Sequence, residues 1–191
     1  MSNTIERRTI LAQIAAAALA GPVSFAQAQH VHHEAAAAAK TTGVYTPKAL
    51  TKHEFDTLHA LCEMIVPGAS QGGAAEFVDI LSSQNNELLA IYTGGLAWLD
   101  EFSKHEAKSA FLTLNASDAK AILDKIAYRR NETPELAPGI RFFVWARRMT
   151  VDAYYTSPAG IKEVGFQGNK AVKEFVAPPE IVQLAVKNSG L

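Results

Sequence analysis

The chain has 191 residues, 18 Lys and Arg against 19 Asp and Glu, and 48% hydrophobic residues. A formal charge of −1 argues against nucleic acid as a partner, where a basic patch is the expected footprint. Its single Cys excludes an internal disulfide, a Cys-x-x-Cys-His haem attachment and a cysteine-ligated iron–sulfur cluster.

The first residues read as an address. Arg7-Arg8 precede Thr9-Ile10-Leu11, an Ala-rich run follows to Ala20, and Ala26-Gln27-Ala28 offers small residues for cleavage. That is the layout of a secretory signal. Paired arginines before a mild apolar stretch point to the twin-arginine route, which carries folded proteins, although Glu6 stands where Ser or Thr is commoner. Ile10 to Phe25 is shorter than the roughly 20 residues a membrane span needs, and Gly21-Pro22 interrupts it. The expectation is a signal over 1–28, cut after Ala28, and a mature chain in the periplasm. Its 163 residues, with 16 basic against 18 acidic, suffice for one domain with a real core. No later run is long and apolar enough to cross a bilayer.

Residues 29–49 read as a flexible tether, because HVHHEAAAAAK is low in complexity and TTGVYTP holds turn formers without an apolar period. His30, His32 and His33 are candidate metal ligands by residue type, yet a tail lacks the second shell that fixes a site. The folded domain is expected over 50–191. Thr51-x-x-Glu54 is a capping box, followed at helical spacing by Phe55, Leu58, Leu61, Cys62 and Ile65 up to Pro67-Gly68. GASQGGA (68–74) follows a helix and lacks a Gly-Lys-Ser/Thr ending, so it is no phosphate cradle. A second helix runs from about Ala74 to Leu81. A third spans roughly Asn86 to Lys104, with Leu88, Tyr92, Gly95, Leu99 and Phe102 inward. Gly94-Gly95 lowers helix propensity there, and a close helix crossing is the plainest reason for it. Ser117 is the expected cap of a fourth helix carrying Ala119, Ile122, Leu123 and Ile126.

After the loop ETPELAPG (132–139), a long helix begins at Arg141. Phe142, Trp145, Ala146, Met149 and Ala153 share one face, while Val144, Arg148, Val151 and Tyr155 form a second stripe. A helix apolar on two sides needs two neighbours. The second is either the chain's own C-terminal helix, expected from Pro179 to about Lys187, or another protein. Ser157-Pro158 ends the long helix, and a loop with Gly160, Gly165 and Gly168 follows. The sum is an all-α fold, a compact bundle of about five to six helices.

Little catalytic chemistry is visible. Cys62 lies on an apolar face and reads as an inert thiol. His53 and His59, six residues apart, fall on opposite faces of one helix, and His105 stands among surface charges. Asp56 and Glu63 are close to one face and are the one candidate acid–base pair, with Arg148 as a third group.

The order of these features resembles the gluconate 2-dehydrogenase subunit 3 family. The resemblance covers about Leu50 to Asn169. It is carried by Thr51, Glu54 and Leu58, by Ile65-Val66-Pro67, and by Ala74 through Phe77-Val78-Asp79. It continues through Tyr92-Thr93-Gly94-Gly95-Leu96-Ala97-Trp98-Leu99-Asp100, and Tyr154-Tyr155-Thr156-Ser157, Gly160 and Gly165-Phe166-Gln167-Gly168-Asn169 close it. The resemblance implies a non-catalytic accessory subunit with no cofactor of its own. Its partner would be a large FAD-dependent subunit of the glucose–methanol–choline type that oxidises a sugar, sugar acid or glycoside, with a cytochrome c as a further subunit. The small subunit's signal would carry the folded complex across the membrane. On this reading Val144, Arg148, Val151 and the segment from Tyr154 and Tyr155 through Thr156, Ser157, Gly160, Gly165, Phe166, Gly168 and Asn169 form the partner surface. Two other readings stand beside it: a self-sufficient periplasmic enzyme using Asp56, Glu63 and Arg148, and a small metal-binding protein using His30, His32 and His33.

Overall fold

The computed structural model describes residues 25–42, 45–166 and 179–189. Among them are eight α-helices and no strand: α1 (Phe25–Thr42), α2 (Lys52–Ile65), α3 (Ala74–Gln84), α4 (Asn86–Ala107), α5 (Ala116–Ile126), α6 (Ala137–Thr156), α7 (Pro158–Glu163) and α8 (Pro179–Ser189). The all-α expectation holds, and α2 to α6 together with α8 are the six helices expected from the sequence. None of the described helices is long and apolar enough to cross a membrane.

The caps explain the boundaries. Thr51 Oγ1 accepts from Glu54 N while Glu54 Oε2 accepts from Thr51 N at 2.8 Å, completing the expected box at the start of α2. At α5 the cap is Asn115, whose Oδ1 accepts from Asp118 N at 2.9 Å. Ser117 therefore sits inside the helix. Asn caps as well as Ser does, and here it stands nearer the chain reversal. The loop before α6 is shorter than expected, because Pro138 fits the first turn of a helix, where no N–H is needed.

α4 and α6 form the centre. α3 packs on both, α2 on α3, α4 and α6, and α5 on α4 and α6. The central contact is a pair of aromatic side chains set onto glycines. A Cβ on Gly95 of α4 would lie 2.0 Å from Phe142 Cδ2 of α6, and one on Gly139 of α6 would lie 2.1 Å from the Trp98 ring of α4. Tyr92 meets Phe142 edge-on at 5.8 Å, and Trp98 stacks on Phe102 at 4.8 Å. Buried alongside are Leu88, Leu96, Leu99, Ile140, Ala146, Met149 and Ala153.

Two carboxylates fasten loops to this bundle. Asp79, fully buried on α3, accepts from Tyr45 OH (2.7 Å), Lys48 N (2.7 Å), Ala49 N (3.1 Å) and Leu50 N (2.9 Å). Glu63 accepts from Gly68 N (2.7 Å), Ser70 N (3.0 Å) and Ser70 Oγ (2.8 Å), and these donors hold its carboxyl below the usual carboxylate range. The Gly-rich turn so held is a seat for Tyr154, since a Cβ on Gly72 would lie 2.8 Å from its ring.

At the N-terminal end lies a further helix. α1 is helical over Phe25–Thr42, with Ala28 (1% exposed), Val31 (3%) and Ala35 (8%) packed into the core against α3 and α6. Gln29 Nε2 donates to Thr156 O at 2.6 Å, and His32 lies 5.1 Å from the Phe77 ring. The stripe is narrow and made of Ala and Val, small side chains that let helices approach.

The adjacent glycines of α4 give a paired test. Gly95→Ala overpacks the Phe142 contact and lowers stability by about 1–3 kcal/mol. Gly94→Ala meets nothing within 4 Å and gains up to about 1 kcal/mol of helix propensity. Thermal unfolding of the isolated chain should move in opposite directions for the two, by about 2–4 °C per kcal/mol.

Candidate functional site

The outer face of α6 stays open. Val144, Trp145 and Val151 are each 38% exposed and Tyr155 39%, with Arg141 and Arg148 among them. Trp145 departs from the sequence reading, which placed it on the core stripe. Phe142 and Phe143 both turn inward with Ala146, Met149, Thr150 and Ala153, so the inner face fills without the indole. α8 does not cover the stripe; its described side chains, Ile181, Val182 and Leu184 among them, are themselves exposed.

Beside Trp145 a groove of about 400 Å³ runs between α4 and α6, lined by Gly94, Trp98, Arg141 and Phe142 among others. Further along the face Asp152 Oδ2 is buried without a hydrogen-bond partner. Arg148 Nε is 3.8 Å from it, near enough for attraction and too far for a hydrogen bond. Burial pushes the Asp152 carboxyl up, and the Arg148 charge works against that.

The remaining predicted interface residues divide. Tyr154 is buried (6% exposed), and its hydroxyl donates to Glu163 Oε2 at 2.6 Å. Ser157 is buried; its Oγ donates to Tyr154 O (2.6 Å) and accepts from Gly160 N (3.2 Å), so it ends α6 and caps α7. A Cβ on Gly160 would lie 2.1 Å from Tyr154 O. These three residues are used inside the chain, and part of the expected glycine loop is helix α7. Thr156 is half-buried beneath α1. Gly165 takes a positive φ of 66° at the surface, and Phe166 is exposed. Gly168, Asn169, Arg7 and Arg8 lie outside the described residues.

The groups weighed for other chemistry do not converge. Asp56 pairs with Lys52 (2.5 Å), Glu63 is spent on the 68–70 turn, and Arg148 faces Asp152. His32 Nε2 sits 3.0 Å from Thr156 Oγ1, while His30 and His33 are exposed. Among the described residues no group of three His, Cys, Asp or Glu is placed to hold a metal ion. Cys62 is buried, receives a hydrogen bond from Thr150 Oγ1 (3.3 Å) and has its thiol pushed up to about 12 by burial. One arrangement escaped the sequence reading: His53 Nε2 contacts Asp100 Oδ2 at the edge of a cleft of about 360 Å³. An oriented histidine is half of a general base. The neighbouring Thr57 hydroxyl is committed to His53 O (2.8 Å), and Asp100 Oδ1 to Phe111 N (3.1 Å). The contact ties α2 to α4 across 47 residues, a separation that no local motif reveals.

This is a helical scaffold with an open aromatic face. A family model described as gluconate 2-dehydrogenase subunit 3 matches residues 52–173 of the chain. The chain belongs to that family. No curated protein and no solved structure matches it. The family's description denotes one subunit of a dehydrogenase complex, and the matched region runs from the first residue of α2 past the open face of α6.

His32 supplies a pH test of the α1 dock. Burial lowers its pKa from the ordinary 6.5, the neighbouring His33 adds to this, and a hydrogen bond to the Ala153 backbone opposes it. A lowered folded-state value means docking is complete above pH 6.5 and weakens as pH falls below it, because the undocked helix binds the proton more tightly. Amide exchange over residues 27–37, corrected for intrinsic rates, should therefore quicken on acidification, and His32→Gln should abolish that dependence.

Proposed function

We propose that this chain is a non-catalytic small subunit of a flavoprotein dehydrogenase, and that it grips its large partner with the outer face of α6. The observation that carries this reading is the half-exposed set of Val144, Trp145, Val151 and Tyr155 with Arg141 and Arg148, on a chain of a dehydrogenase-subunit family. Trp, Tyr and Arg are the residues that most often dominate interface energetics. A donor from the partner would also satisfy Asp152 Oδ2.

The partner on this reading is the large FAD-containing subunit of the glucose–methanol–choline type, which oxidises a sugar, sugar acid or glycoside. A cytochrome c subunit would receive the electrons. The redox chemistry belongs to those cofactors, and this chain holds none. Its second contribution is the twin-arginine signal, which takes the folded pair to the periplasm.

Co-expression with the large subunit tests both parts. Trp145→Ala and Tyr155→Ala should each weaken assembly by about 2 kcal/mol, or roughly thirtyfold, without lowering the isolated chain's own melting temperature. Tyr154→Ala should do the reverse, melting the small subunit earlier. Replacing Arg7 and Arg8 by Lys should leave both chains in the cytoplasm, since Lys lacks the planar guanidinium fork. Undiminished assembly of the Trp145 and Tyr155 variants, or a flavin or haem spectrum in this chain purified alone, would reject the subunit reading. Normal export of the Lys-Lys variant would reject the carrier role.

A further inference from the structure

The sequence places a cleavage site at Ala26-Gln27-Ala28, and the structure places that same stretch in the first turn of a docked helix. We propose that docking of α1 holds the leader's cleavage site closed, so that processing after Ala28 waits until α1 leaves α3 and α6. This rests on the export reading given above and adds a conformational step to it.

A peptidase reads its substrate as an extended strand, through main-chain hydrogen bonds and pockets for alternate side chains. Neither is on offer here. The backbone from Phe25 is helical, so its carbonyls are engaged along the chain. Ala28, the residue whose side chain a peptidase must seat, is 1% exposed and belongs to the core. The residues after the cut supply the restraint. Val31 and Ala35 continue the buried stripe one and two turns on. Gln29 Nε2 donates to Thr156 O at 2.6 Å, His32 packs on Phe77, and Glu34 pairs with Lys48 at 2.5 Å. Fraying of the first turn alone would leave the bond after Ala28 tied to Gln29 and Val31, both docked just beyond the cut. The whole of α1 must therefore move.

The consequence is an order of events. The leader stays attached to a folded subunit, the form the twin-arginine route carries, and is lost when α1 opens. Cleavage then tracks the population of the open state, as proteolysis does when opening is fast relative to cutting.

The test uses the full chain purified from cells lacking the translocase, bacterial leader peptidase in detergent micelles, and a synthetic peptide of residues 15–40 as the accessible reference. Cleavage of the full chain should be slower than that of the peptide by roughly tenfold or more. Ala35→Asp and, separately, Glu34→Lys loosen the dock away from the scissile bond, and each should bring the chain's rate toward that of a peptide carrying the same change. Near-ultraviolet circular dichroism confirms that α2 to α6 remain folded in both variants. A full chain cut as fast as the peptide would overturn the proposal. So would variants that stay folded, exchange rapidly over α1 and are still cut slowly. A reference peptide that is not cut at all would instead refute the leader itself, and with it the site this dock is proposed to guard.

Discussion

The fold depends on how closely α4 and α6 approach. Each helix gives a glycine to an aromatic ring of the other, Gly95 to Phe142 and Gly139 to Trp98, and neither position has room for a methyl group. Interiors packed to crystal density do not absorb such a clash cheaply. This reciprocal contact fixes the rotation of α6 about its own axis. With Phe142 seated on Gly95, Phe143, Ala146 and Met149 follow into the core, and Val144, Trp145, Val151 and Tyr155 are turned outward. The open face is thus a consequence of the central packing, and Gly94, one residue from the contact, lines the groove beside it.

The carboxylates that look most chemical serve architecture. Asp79 accepts hydrogen bonds from three consecutive backbone N–H groups and a tyrosine hydroxyl inside the core, holding the segment before α2 against α3. These four donors satisfy a carboxyl group that has no access to water. Glu63 does the same for the turn that seats Tyr154, and Asp100 for the turn after α4. Acidic side chains engaged in this way by main-chain donors are held away from proton-transfer work.

What the sequence revealed follows from what is local. Apolar spacing located α2 to α6 and their inward residues, and the Thr51–Glu54 box was legible because both halves lie within one turn. The glycine pair of α4 announced a close approach, although only Gly95 makes it. Non-local facts were hidden. Trp145 lies at the edge of the inner stripe, and periodicity cannot say whether Phe143 or the indole takes the last inward place. Tyr154 and Tyr155 are neighbours of one type with opposite fates, because a glycine turn some 80 residues earlier accepts the first ring. Asp79 stood in the family pattern, yet its partners at 45–50 are known only once the chain has folded back. The Ala-rich stretch within Phe25–Thr42 has the composition of a linker, and the part played by its Ala28, Val31 and Ala35 stripe depends on α3 and α6, which lie far along the chain.

The proposed meeting place of this subunit with the rest of its complex is the outer face of α6. Hydroxyl-radical footprinting at single-residue resolution, on the chain alone and in the assembled complex, addresses that claim directly. Trp145 and Tyr155 should be oxidised readily in the free chain and protected in the complex, with buried Tyr92 and Tyr154 slow to react in both. Equal oxidation of Trp145 and Tyr155 in the free and assembled states would show that the partner binds elsewhere and contradict the account.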